Sequence, residues 1–341
     1  MKNVFYMHKL SAIGGVESFL YYLSIVYKDF VVYYQEGDPE QVKRLAKNVE
    51  VRKYTQPIEC ENFFCNYNYD IEVKAKNYYH IIHYDALGVK FKPMQIEDWK
   101  YIGVSKLACE SFEKVTGRKC ELIYNVIPIK PKGLEKYPGL NLISATRLTL
   151  EKGLDRIVKL SNTLDKAGVE YTWTIYTNKE RKARSVITSN NVIVKPQQLD
   201  IHDEIEKSSF LVQLSDTESF GLSVCESLIL GTPVIITDLE AFTEIGCNNE
   251  NSIKLDLDMN NIPIETITKK PFKFKYEPPF SEWHKYLSDK SDYDPLGKTK
   301  VKALRKFTDI YENKLVLRGE EYFTTNERAS YLESKDLVCF M

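Results

Sequence analysis

Between Ser208 and Ile245 the chain reads SSFLVQLSDTESFGLSVCESLILGTPVIITDLEAFTEI, and no other stretch limits the fold so tightly. An apolar run (Phe210, Leu211, Val212, Leu214) leads through a short polar turn into a helical pattern. The pattern breaks at Gly231-Thr232-Pro233 and resumes as Val234, Ile235 and Ile236. Strand, helix and strand in that order make one parallel βαβ unit. Ligands of such a unit sit where the carboxyl end of the strand meets the amino end of the helix. Here that junction is Glu218-Ser219-Phe220-Gly221-Leu222. Gly221 lets a ligand approach the backbone, and the free N–H groups of a first helical turn favour an anion or a sugar hydroxyl. Glu218 falls at the strand tip and Glu226 one to two turns into the helix, so the carboxylates suit different parts of one extended ligand better than a shared metal. A second reading stays open, in which Ser223 and Glu226 form a capping box and Glu218 is a solvated loop acid.

The run E-S-F-G-L-x-x-x-E followed by G-T-P-V resembles the Glu-x7-Glu signature of the retaining GT-B glycosyltransferases, specifically glycosyltransferase family 4. The resemblance implies that Glu218 contacts donor-sugar hydroxyls and that Glu226 holds the nucleotide ribose. Ser219, Phe220, Gly221 and Leu222 would form the turn against the nucleotide sugar. A second match lies upstream, in Arg147-Leu148-Thr149-Leu150-Glu151-Lys152-Gly153, just before an amphipathic helical pattern over 154–167. A departing nucleoside diphosphate gains negative charge as the glycosidic bond breaks, and two fixed cations beside a helix N-terminus stabilise it without a metal. In family 4 the corresponding Arg and Lys, here Arg147 and Lys152, bind the pyrophosphate.

The first half of the chain carries weaker signals. Val4 to Met7 reads as a strand, and Gly14-Gly15-Val16-Glu17-Ser18 as a glycine turn into a helix, a combination that offers a place for phosphate. It is not G-x-G-x-x-G, so a dinucleotide site is a poor fit. The family loop that often reads G-G-x-E lies near the donor pyrophosphate and the acceptor, which implies donor contacts for Gly14 and Gly15. Residues 78–85 form an apolar strand pattern ending in polar groups. His83 falls where the family places a histidine beside the transferred sugar; as residues alone it reads equally as a core-edge histidine bonded to a carbonyl. Residues 55–70 show no clear period.

Length and composition agree with a two-domain enzyme. The 341 residues are 43% hydrophobic and 28% charged, enough for full cores. Lys and Arg number 47 against 48 acids, a net charge of -1 that argues against a nucleic-acid binder. Seven cysteines without paired or zinc-like spacing indicate reduced thiols. No apolar run reaches the roughly 20 residues of a membrane span. A cytoplasmic enzyme with at most peripheral membrane contact is expected.

The fold expected is α/β and GT-B, with two Rossmann-like domains facing across a cleft and a small C-terminal α+β appendage. Its bounds are an acceptor domain over 1–133, a donor-binding domain over 138–278, a crossing helix over 279–297 and an appended module over 298–341. Within the crossing segment, 280–287 reads as an amphipathic helix; within the appendage, 326–335 reads as a helix. The activity implied is metal-independent transfer of a hexose, with retained configuration, from a UDP- or GDP-linked donor to a hydroxyl of a glycan, lipid or protein acceptor. Polysaccharide biosynthesis is the natural setting. Two rivals are a nucleotide-sugar epimerase or hydrolase on the same fold, and a non-catalytic sugar-nucleotide-binding subunit.

Overall fold

The computed structural model describes residues 1–66, 70–89, 93, 95–269, 272–288, 298–309, 314–325, 332–333, 335 and 337–340. Its first half is built on seven parallel strands: β1 (Asn3–Leu10), β2 (Phe30–Gly37), β3 (Glu50–Lys53), β4 (Ile58–Cys65), β5 (Val73–Ile82), β6 (Lys100–Gly103) and β7 (Cys120–Leu122). They lie in the order β3-β2-β1-β4-β5-β6-β7. Helices α1 (Gly15–Val26), α2 (Pro39–Ala46) and α3 (Lys106–Thr116) form crossovers. Two of them start on side-chain caps: Asp38 accepts the N–H groups of Glu40 and Gln41, and Ser105 accepts that of Ala108.

The second half repeats the plan with β8 (Leu140–Ala145), β9 (Tyr171–Thr177), β10 (Val192–Pro196), β11 (Phe210–Gln213), β12 (Val234–Thr237) and β13 (Ser252–Leu255). These parallel strands are ordered β10-β9-β8-β11-β12-β13. Between them run α4 (Leu154–Lys166), α5 (Glu180–Val186), α6 (His202–Lys207), α7 (Leu222–Ile229), α8 (Glu240–Glu244) and α9 (Ile264–Thr268). Leu154, Ile157, Leu160 and Leu164 recur at helical spacing along α4 and bury against Trp173, Ile175 and Phe210. In both sheets the order reverses beside the first strand, between β1 and β4 and between β8 and β11. In open α/β sheets that reversal marks the crevice where ligands bind. Among the described residues no helix is long and apolar enough to cross a membrane.

Strand β4 falls in the stretch where the sequence shows no period, yet it sits directly beside β1. After the buried Ile58, Glu59 and Glu61 are exposed, whereas Phe63, Phe64 and Cys65 are all buried. A strand with one open face in its first part and both faces covered in its last has no uniform alternation to read. The amphipathic helix expected over 280–287 is also absent: this segment is irregular apart from one 3-10 turn, Trp283–Lys285. Pro278 and Pro279 disfavour a helical start there. The irregular segment still seats Trp283, fully buried, among Phe5, Phe19 and Phe64 of the first half, with ring centroids 5.5 to 5.9 Å from the Trp283 ring.

Residues 289–341 form a separate compact unit. In it β14 (Lys298–Ala303) pairs antiparallel with β17 (Glu321–Thr325) and β18 (Val338–Phe340), and β15 (Phe307–Asp309) pairs with β16 (Lys314–Val316). Leu332 and Val338 supply its buried apolar cluster. Most of the helix expected over 326–335 lies outside the described residues.

Candidate active site

The loops that follow β8 and β11, the two strands flanking the reversal in the second sheet, converge. After β8, residues 147–153 bond to themselves: Lys152 N–H and Leu154 N–H both donate to Thr149 O, and Gly153 N–H donates to Leu150 O. Gly153 caps α4 at φ +76° against the carbonyl of Leu214, where any side chain would collide. Asp216 N–H then donates to Glu151 O at 2.8 Å, tying the two loops together. Arg156 reinforces the tie from α4, donating to Leu214 O at 2.8 Å and pairing with Asp216.

This scaffold brings Lys152 and Glu218 into contact. Lys152 Nζ lies 2.8 Å from Glu218 Oε1, with the side chains only 15% and 16% exposed. The same oxygen accepts bonds from Ser215 Oγ at 2.7 Å and Gln213 Nε2 at 3.0 Å. Glu218 is therefore held by three donors on one oxygen. Sequence reasoning missed Gln213 and Ser215; both stand at the tip of β11 within five residues of Glu218, and that proximity was the available signal. Arg147 shares the β8 loop but is exposed, and among the described residues no side-chain partner engages its guanidinium. Its charge is thus left to the open side of the loop.

Past Glu218, Ser219 Oγ donates to the carbonyl of His83 at 2.7 Å, joining the second half to the end of β5. Phe220 is buried, and Gly221 caps α7 at φ +84°. A Cβ at Gly221 would stand 2.7 Å from the Phe242 ring, so the turn needs glycine both for its dihedral and for space. No side chain caps α7, which rules out the Ser223–Glu226 capping box and leaves the α7 N-terminus to a ligand. Leu222 reaches across to the glycine loop of the first half: its Cδ1 would be 3.9 Å from a Cβ on Gly15. Gly14 caps α1 with an extended backbone, and Glu17 closes that loop by accepting Ser11 N–H at 2.9 Å.

His83 and Glu226 have partners the sequence did not reveal. His83 Nε2 lies 2.7 Å from Asn66 Oδ1, and its ring meets Phe19 edge-on at 4.9 Å. Burial lowers its imidazole to about 3, so the ring is neutral near pH 7. Glu226 accepts a 2.6 Å hydrogen bond from Tyr22 Oη of α1, and His202 Nε2 stands 3.9 Å from its other oxygen. Burial raises the Glu226 carboxyl above its ordinary range, partly offset by His202 and by the Tyr22 hydroxyl. Glu226 makes no direct contact with Lys152 or Glu218. The pair and Glu226 occupy the two ends of the segment that begins α7. Among the described residues no group of three or more His, Cys, Asp or Glu is placed to hold a metal ion.

Comparison with known proteins agrees with this geometry. Residues 128–256 match the family described as Glycosyl transferases group 1. ORF330 of Acidianus filamentous virus 2, which is named for a glycosyltransferase assignment, is 30% identical over 151 residues, 43% of this chain and 42% of that protein. The UDP-N-acetylglucosamine–peptide N-acetylglucosaminyltransferase GtfA subunit of Limosilactobacillus reuteri subsp. suis is 32% identical over 116 residues, 33% of this chain and 22% of that one. The chain thus spans less than half the length of these curated relatives. In fold it is similar to Anabaena Alr3699/HepE, solved with UDP and glucose, at a TM-score of 0.61 and 16% identity over 78% of this chain and 89% of that one. The matched segment, residues 128–256, thus carries the glycosyl transferases group 1 pattern, and the two parallel Rossmann-like sheets have the GT-B fold.

Proposed function

We propose that the protein is a retaining hexosyltransferase that moves a sugar from a UDP-linked donor to an acceptor hydroxyl. The observation that carries this reading is the 2.8 Å meeting of Lys152 and Glu218 from two loops across the strand reversal. A cation for the departing diphosphate and a carboxylate for sugar hydroxyls then stand side by side, as donor transfer needs. The acceptor oxygen forms its bond to the anomeric carbon from the leaving group's face while the bond from that carbon to the diphosphate oxygen breaks. The departing phosphate oxygen takes the acceptor's proton, and Lys152 and Arg147 stabilise the charge left on the diphosphate. Glu226 holds the ribose, and the neutral His83, beside the α7 turn, faces the transferred sugar. UDP as the carrier is favoured because it is the nucleotide bound in the fold relative Alr3699/HepE. The first half supplies the acceptor side, with a glycan, lipid or protein as the class of acceptor.

A panel of UDP- and GDP-linked hexoses tested by thermal shift identifies the donor, because a ligand of the native state raises the melting point by mass action. Release of UDP from the best donor, with candidate acceptors or water, then measures turnover. The proposal predicts a shift with a UDP-sugar and acceptor-stimulated UDP release. No shift with any nucleotide sugar at millimolar concentration would sink it.

A further inference from the structure

Glu226 is gripped from the opposite half of the molecule. Tyr22, 2% exposed on α1, donates its hydroxyl to Glu226 Oε1 at 2.6 Å. The Tyr22 oxygen also lies 3.1 Å from His202 Nε2, and His202 Nδ1 lies 2.8 Å from Asp200 Oδ1. Asp200 accepts the Nδ1–H and fixes the ring; because the one Tyr22 hydroxyl proton goes to Glu226, His202 completes the chain as the imidazolium that Asp200 and Glu226 favour, its Nε2–H donating to the Tyr22 oxygen. The result is a chain of hydrogen bonds, Asp200 to His202 to Tyr22 to Glu226, whose third member comes from the first sheet's own crossover helix. A carboxylate with one oxygen taken by a fixed phenol has lost its rotational freedom and keeps its second oxygen for a ligand.

We propose that Tyr22 is the positioning residue for Glu226, and that it couples nucleotide binding to the docking of the two Rossmann-like halves. This rests on the reading of Glu226 as the ribose carboxylate. If the halves part, Tyr22 withdraws and Glu226 is free to turn; when they meet, the oxygen facing the ribose is set in advance. Preorganisation of this kind lowers the ordering cost of binding. Asp200 and His202 set the far side of the Tyr22 hydroxyl, and Arg44, stacked 3.6 Å over Tyr21, is the nearby cation.

The test measures UDP and pyrophosphate affinity by calorimetry for the parent, Y22F, E226Q and the Y22F/E226Q double variant. Phenylalanine keeps the ring, so Y22F should fold, and a thermal melt checks it. Losing a hydrogen bond to a charged group predicts UDP binding about tenfold weaker in Y22F. Pyrophosphate binding should not change, because pyrophosphate has no ribose. In E226Q the added Y22F change should have little further effect, whereas a purely structural role for Tyr22 would give additive losses and weaken pyrophosphate as well. Parent-like UDP affinity in Y22F, or full additivity, overturns the role of Tyr22 while leaving the sugar-transfer reading intact. A parent protein that binds neither UDP nor pyrophosphate overturns both.

Discussion

Replacing Lys152 with Met removes the ammonium and keeps most of the stem, so its effects on folding and on chemistry can be compared directly. In folding terms, Glu218 loses one of three donors on Oε1 but keeps Ser215 and Gln213. One hydrogen bond to a charged group, in a pair about 15% exposed, costs about 2 kcal/mol. A domain with the usual reserve of about 5–15 kcal/mol stays folded after that loss. In chemical terms, removing a fixed group aimed at developing charge costs about 3–4 kcal/mol, or about 10²–10³ in turnover. The K152M variant should therefore melt a few degrees below the parent yet release UDP from saturating donor at least a hundredfold more slowly. K152R, which restores a cation with different geometry, should recover part of the rate. The assay is initial-rate UDP release with a matched melting curve. A turnover within about threefold of the parent would refute the role of Lys152, whatever its effect on stability.

Three further outcomes follow from packing and charge. Trp283→Ala empties a fully buried site between Phe5, Phe19 and Phe64 and should cost about 3–5 kcal/mol in urea unfolding, whereas Trp283→Phe should cost less than half of that. Gly153→Ala, at φ +76° against the Leu214 carbonyl, should displace the β8 loop and lower both stability and turnover; parent-like values for both would show that the loop tolerates a side chain there. Burial depresses His80 to about 4 and His83 to about 3 from 6.5, so below about 6.5 the unfolded chain takes up protons that the folded chain refuses. Stability should then rise with pH between about 4 and 6.5, at up to about 1.4 kcal/mol per pH unit for each histidine. His202, raised overall because Asp200 and Glu226 outweigh its burial, works in the opposite sense, and its contribution fades as pH climbs past its folded value. Urea midpoints measured from pH 4.5 to 7.5 check the slope, and a flat profile below 6.5 would contradict it.

The centre of the second half was legible because β11 and β12 are short apolar runs, covered on both faces and punctuated by glycine and proline. The run from Phe210 to Gln213, the break at Gly231-Thr232-Pro233 and the strand Val234–Thr237 need no tertiary knowledge to read. Arg147, Lys152, Glu218 and Glu226 could be singled out because each pair is local in sequence, at the Arg-x4-Lys and Glu-x7-Glu spacings that resemble family 4. What the sequence concealed depends on contacts between distant segments. Strand β4 changes from outward-facing acids to buried aromatics within eight residues, so no single period describes it. Trp283 shows its role only once Phe5, Phe19 and Phe64 surround it. Tyr22 is an unremarked tyrosine on an apolar helix until Glu226, from the other sheet, arrives at its hydroxyl.

The most direct measurement is a crystal structure of the protein with UDP bound. The account predicts the diphosphate within hydrogen-bonding reach of Lys152 and on the open side of Arg147, with the ribose hydroxyls on the oxygen of Glu226 that Tyr22 leaves free. Density for UDP away from the loops after β8 and β11, with Lys152 and Glu218 still paired as before, would contradict it.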